Sequence, residues 1–445
     1  MSGAVALWCE FAWLGGERAE AGVLIELEGE RIDSVTAGVA EPPAGATSLP
    51  GLTIPGFTNA HSHAFHRALR GRTQAGRGDF WTWRKRMYEV AEAIDPNAYL
   101  ALARATFAEM ALAGVTAVGE FHYLHHAPGG QRYEDPNEIG RALMRAAREA
   151  GPRITLLDTC YLSGGIGREV EGAQLRFSDG SAEGWAERVD ALEPEPGARL
   201  GAAIHSVRAV DPESATRVGA FAAERSWPLH AHVSEQPAEN EECRAAYGVT
   251  PTALLAEAGA LSERFTAVHA THLADTDFAL IGDPGCAVCL CPTTERDLAD
   301  GVGAARRLAD AGAGLSLGTD SHAVIDPLEE ARAVELDQRL EGGRRGNHSA
   351  AELLDAATAG GSVSIGWPEA GSIAPDRLAD LVTIGLDGVR LAGAPADQLI
   401  EAAVFAGAAA DVRHVVVGGE FIVRDGRHRS LDVADELARA IALLP

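Results

Sequence analysis

The sequence predicts an α/β protein: a (β/α)8 TIM barrel carrying a small β-sandwich domain formed by both termini. Three observations predict it. Eight short apolar runs alternate with amphipathic stretches through the middle of the chain, and short β-like runs at the start find counterparts only at the far end. Ligand-type residues follow the apolar runs, where a barrel places its chemistry. A chain of 445 residues has room for a barrel of about 250 residues and a smaller module.

In chain order, Val5–Cys9, Val23–Leu27 and Ile32–Val35 read as strands separated by Gly, Glu and Asp. Such strands do not stand alone. Their counterparts are Asp380–Ile384, His414–Val417 and Glu420–Val423, with Gly418-Gly419 as a two-residue turn. The expected division is therefore 1–52 and 371–445 for the small domain, ending in a helix over Val433–Leu444, with the barrel at 53–370. The barrel strands are read at Thr53–Phe57, Val115–Val118, Ile154–Leu157, Leu200–Ile204, Leu229–Val233, Phe265–Val268, Ala287–Leu290 and Gly314–Leu317. Between the first two, Tyr99, Leu102, Thr106, Met110 and Ala113 fall on one helical face of Pro96–Ala113.

The formal net charge of -26 argues against nucleic acid, whose phosphates need Lys and Arg. Six cysteines are too few and too scattered for a disulfide scaffold. Cys286-x-x-Cys289-x-Cys291 has metal or redox spacing, but lies in an apolar run where Cys packs as a small hydrophobe. The N-terminus lacks a basic region before its short apolar run, and no stretch has the length to span a bilayer, so no membrane association is expected. The expected location is the cytoplasm.

Barrel enzymes place catalysis at the C-terminal ends of their strands. Here the first strand ends in His61-Ser-His63, and side chains at i and i+2 share a face. The second ends in Glu120-Phe-His122-Tyr123, the fourth in His205-Ser-Val-Arg208 and the fifth in His232-Val-Ser-Glu235. The sixth ends in His269-Ala-Thr-His272, and the eighth in Gly318-Thr-Asp320-Ser-His322. One such end is what chance produces; five or six are not.

Pro55-Gly-Phe57 leading to His61-x-His63, with His232-x-x-Glu235, His269 and Thr319-Asp320, resembles the amidohydrolase superfamily in its mononuclear deaminase branch. Gly371–Pro375 and Leu378–Val382 resemble that superfamily's return into its β-sandwich. Asn59–Arg67, Phe80-Trp-Thr-Trp-Arg84, Glu120–His126, His205–Val210 and Cys291-Pro-Thr-Thr-Glu295 are similar to the formimidoylglutamate deiminase family. The resemblance covers nearly the whole chain. It implies hydrolysis of N-formimidoyl-L-glutamate to N-formyl-L-glutamate and ammonia, in histidine degradation. One position departs: that family usually has Gln where this chain has His66.

Read physically beside that resemblance, His61, His63, His232 and Asp320 supply three nitrogens and one oxygen. That set suits one Zn²⁺ per chain with a position open for water. Glu235 is the expected proton shuttle, and His269 orients the water or stabilises the developing oxyanion. Two-metal sites of the superfamily use a carbamylated lysine from the fourth strand. Lys85 is the only lysine, so that bridge is excluded.

The expected substrate is a small anionic molecule. Arg84 and Arg208 are expected to clamp its carboxylates bidentately, with Tyr123, His205 and His66 beside them. His230 is read as a hydrogen-bonded core histidine, and His125 and His272 as outer-shell or surface groups. His348, His414 and His428 are read as solvated, Glu295, Arg296, Asp297 and Asp300 as a loop charge run, and Glu120 as a partner orienting a ligand histidine. A homodimer is expected. The alternatives are an aminohydrolase of a heterocycle (guanine, cytosine or an adenosine derivative) and a catalytically inactive barrel scaffold.

Overall fold

The computed structural model describes residues 5–75 and 80–445; the side chains of Phe80 and Trp81, which open the Phe80–Arg84 motif, lie outside the described residues. The strands run β1 (Val5–Trp13), β2 (Ala19–Glu28), β3 (Arg31–Thr36), β4 (Thr47–Pro55), β5 (Phe57–Ser62), β6 (Val115–His122), β7 (Arg153–Cys160) and β8 (Ala198–Ile204). They continue as β9 (Leu229–Val233), β10 (Phe265–His269), β11 (Ala287–Leu290), β12 (Gly314–Leu317), β13 (Leu381–Ile384), β14 (Val412–Val417), β15 (Glu420–Arg424) and β16 (Arg427–His428).

Two sheets result. One takes strands from both chain ends in the order β16-β15-β14-β13-β4-β1-β2-β3; the other is the parallel run β5 to β12 in sequence order. The apolar run Thr53–Phe57 does not form the first barrel strand. Thr53–Pro55 belong to β4, which pairs with β13 through Ile54 and Val382, and the barrel strand begins at Phe57. The switch falls at Gly56, whose N–H donates to Asp380 O at 2.9 Å. A Cβ on Gly56 would stand 2.1 Å from Thr116 Oγ1, so only glycine lets the two sheets approach there. Gly418 and Gly419, at φ 56 and 78, form the two-residue turn between β14 and β15.

One face of the terminal sheet encloses its own core of Leu7, Cys9, Val23, Ile25, Ile32 and Leu381. Ile54, Val382, Val415 and Val423 join the main core with the barrel helices instead. Arg153 at the start of β7 links the two bodies through Asp380, 2.8 Å away. His348, His414 and His428 are buried, contrary to the solvated reading, and His428 Nε2 donates to Ala150 O at 2.8 Å.

The barrel closes where its chemistry sits. Ser62 and Asp320 form a parallel bridge, and the Thr319 and Asp320 amides donate to His61 O at 3.1 and 3.0 Å. Ala60, Ala117, Val268, Cys289, Cys291, Ile365 and Trp367 form a separate apolar cluster. His230 is the hydrogen-bonded core histidine expected, Nε2 donating to Ser364 O at 2.9 Å. All six cysteines are buried and free. No helix among the described residues is long and apolar enough to cross a membrane.

Candidate metal centre and active site

Among the described residues, His61, His63, His232 and Asp320 present one ligand atom each, all within 4.8 Å of one another. The second-strand and fourth-strand ends aim two of them. His63 Nδ1 donates to Phe121 O at 2.9 Å, and His232 Nδ1 to His205 O at 2.9 Å. Those bonds fix the tautomer whose Nε2 lone pair faces the centre. Asp320 Oδ1 stands 3.4 and 3.3 Å from the Nε2 atoms of His61 and His63.

Burial holds His61 and His232 well below the usual histidine range and pushes His63 down to about 3, leaving neutral imidazoles. Burial also pushes Asp320 up to about 7. Three neutral nitrogens and one carboxylate, converging within 4.8 Å, are the donor set of a divalent cation, and zinc fits it.

The backbone is bent to build this. Ser234, His269, Asp320 and His322 have φ of 52, 69, 41 and 56, a left-handed region that costs non-glycine residues about 1–3 kcal/mol each. Glu120 holds the ligand strand rather than a ligand ring: its carboxylate accepts from Ser62 Oγ and from the Ala64 amide. Burial pushes Glu120 up to about 8.

His269 stands beside the donor set, with Nε2 3.8 Å from Asp320 Oδ2 and 4.0 Å from Glu235 Oε1. Burial opposes its protonation, but the Glu295 hydrogen bond and the charges of Glu235 and Asp320 outweigh burial and raise it to about 10. Glu235 Oε2 takes Arg208 Nη2 at 2.9 Å. Burial would raise the Glu235 pKa, but the Arg208 charge prevails and lowers it.

The substrate-binding residues expected from the sequence, His66, Arg84, Tyr123, His205 and Arg208, line one cavity with His63, His232, Glu235, His269 and Asp320. His66 Nε2 lies 2.8 Å from Tyr123 OH, and Arg84 Nε donates to Tyr88 OH at 2.7 Å. Arg208 does not simply point at incoming carboxylates, since it is already ion-paired with Glu235. The cavity is also lined by Trp83, Tyr88, Tyr161, Arg168 and Phe177. Tyr161 and Arg168 lie beyond β7, whose end carries no His or Glu to draw attention.

The charge run after β11 is not a loop. Pro292–Asp297 is a short helix that leaves Arg296 exposed and buries Glu295, and Asp300 is buried just beyond it. His272 is half-buried and donates from Nε2 to Asp300 O at 2.7 Å.

His122, His125 and Asp158 form a second buried group of potential ligands. Its carboxylate is spoken for: Asp158 accepts from Arg188 at 2.8 and 2.9 Å and from Trp185 Nε1 at 3.0 Å. Arg188 also reaches Asp179 at 3.0 Å, and Asp179 pairs with His126 at 3.1 Å. Burial would raise Asp179, yet His126 and Arg188 hold it at about 2. The group is a brace behind the cavity wall. Arg188→Met leaves two carboxylates buried without their cation and is expected to cost about 3–5 kcal/mol. Urea unfolding checks this, and a loss below about 1 kcal/mol contradicts it.

A family model described as the amidohydrolase family matches residues 52–422. A Pseudomonas aeruginosa protein named formimidoylglutamate deiminase is 38% identical over 398 residues, spanning 86% of this chain and 87% of the relative. The crystal structure of an amidohydrolase from Brucella melitensis superposes with a TM-score of 0.89 at 32% identity, covering 98% of this chain and 99% of the other. That of an adenosine deaminase from Xanthomonas campestris with bound zinc superposes with a TM-score of 0.85. At 23% identity, covering 99% and 97% of the two chains, it shares the fold.

Proposed function

The chain belongs to the amidohydrolase family, and from that premise we propose that it hydrolyses N-formimidoyl-L-glutamate to N-formyl-L-glutamate and ammonia. The observation that carries this reading is one cavity in which a three-histidine, one-carboxylate donor set meets Glu235 and three arginines, Arg84, Arg168 and Arg208. A chain of net charge -26 repels anions at long range, so local arginines at its reaction centre suit a dicarboxylate. The name of the Pseudomonas aeruginosa relative agrees.

In this reading His61, His63, His232 and Asp320 hold one Zn²⁺. When bound, zinc supplies the Lewis acidity that lets water deprotonate near neutral pH. Glu235 takes the water's proton and delivers it to the departing nitrogen. His269 donates from Nε2 to the oxygen of the attacking water and holds it toward the formimidoyl carbon. Arg84 and Arg208, with Tyr123, His205 and His66, hold the glutamate portion away from the donor set. The terminal nitrogen then faces Glu235, and ammonia is the group that leaves. We place the enzyme in the cytoplasm, a reading supported by six free, buried thiols.

A second reading, hydrolytic deamination of a heterocycle, is favoured by Trp83, Tyr88, Tyr123, Tyr161 and Phe177 in the cavity wall, since aromatic rings stack on bases. Ammonia release across formimidoylglutamate, formimidoylaspartate, guanine, cytosine and adenosine separates the two. Formimidoylglutamate is expected to give the highest kcat/KM by at least about tenfold, the weight of roughly one charged hydrogen bond. A heterocycle in first place overturns the proposal.

A further inference from the structure

Glu295 is a buried carboxylate that the mechanism above does not use. It sits on the helix Pro292–Asp297 that follows β11, and one oxygen does two things. Oε1 accepts from the Cys291 amide at 2.9 Å and lies 3.3 Å from His269 Nδ1. The first bond is local and rigid, joining the side chain to the residue that opens its own helix. The second crosses to the end of β10.

His269 needs such a partner. Its φ of 69 is a left-handed conformation, in which strand geometry does not aim the side chain. Its ring is buried and has donor sites on both nitrogens. With Nδ1 committed to Glu295, only Nε2 is left to face Asp320 and Glu235, at 3.8 and 4.0 Å.

We propose that Glu295 is a positioning residue, which fixes the His269 ring so that Nε2 donates into the reaction centre. The Cys291 amide makes this aim selective, because it pins the oxygen before the histidine uses it. The inference rests on the role given to His269 under the proposed function.

Because the Cys291 N–H selects an oxygen at the Oε1 position, Glu295→Gln keeps an acceptor for His269, whereas Glu295→Leu removes it. The Leu variant is expected to lose about 10- to 100-fold in kcat, the usual effect of removing an outer-shell partner. KM should change by less than about threefold and zinc content should stay at the parent value, while Gln retains at least about a third of kcat. A double-mutant cycle reads the coupling. If Glu295 acts through His269, Glu295→Leu costs no more than about twofold further in a His269→Asn background, whereas a general structural role would cost the same in both.

Additive losses, equal losses in the Gln and Leu variants, or a Leu variant that sheds its zinc would each overturn the inference. A His269→Asn variant with parental turnover would instead overturn the role of His269, which the single variant reads separately.

Discussion

Replacing Glu235 by Gln is expected to lower kcat by at least about 10²-fold, the scale of general acid–base catalysis, with zinc content unchanged. The substitution is nearly isosteric and leaves an amide oxygen that can still accept from Arg208, 2.9 Å away in the parent. It removes the capacity to take a proton and give it back, together with the charge that faces Arg208 and His269. No ligand is touched, since the donor set is His61, His63, His232 and Asp320. Steady-state kinetics with elemental analysis of the same preparation checks both halves. Near-parental turnover would mean that the proton travels by another group.

Asp320→Asn is expected to act through the metal instead. Asparagine tolerates the left-handed φ of 41 at this position better than most residues, so the fold should survive. A neutral amide oxygen replaces an anionic ligand. Metal content should fall well below one per chain, with activity down more than about 10²-fold, beyond what outer-shell losses cost. Elemental analysis of the parent should find about one zinc. Two tightly bound metals in the parent, or undiminished metal in the variant, would break the mononuclear assignment.

The barrel and the convergence of His61, His63, His232 and Asp320 were legible because both are written in local pattern. His61 and His63 share a strand face by spacing alone, and a strand-end position explains His232, His269 and Asp320 without knowledge of the packing. The strand Leu229–Val233 even has the bounds read from its apolar run. Where the sequence reading failed, the deciding contact is long-range. Thr53–Pro55 look continuous with Phe57, yet pair with Leu381, Val382 and Thr383, more than three hundred residues away. His428 looks like a terminal polar residue until the sheet it belongs to packs on Ala150.

Glu295 was hidden differently. Four charged residues within six positions look solvated, although Pro292 at the first turn marks a helix start that turns Glu295 inward. Arg208 was found, but its pairing with Glu235 was not. Two strand-end groups from neighbouring strands meet only when β8 and β9 are seen side by side.

The central claim is that this site expels ammonia from a formimidoyl group rather than cleaving it from glutamate. Water attack gives a tetrahedral carbon bearing two nitrogens, and either can leave. In the proposed orientation, an arginine-held glutamate portion turns the terminal nitrogen toward Glu235, which protonates it. A proton NMR time course on N-formimidoyl-L-glutamate resolves the outcome directly. The expected result is ammonia with N-formylglutamate as the sole formyl product; formamide with free glutamate would contradict the orientation, and no turnover of this substrate would contradict the assignment itself.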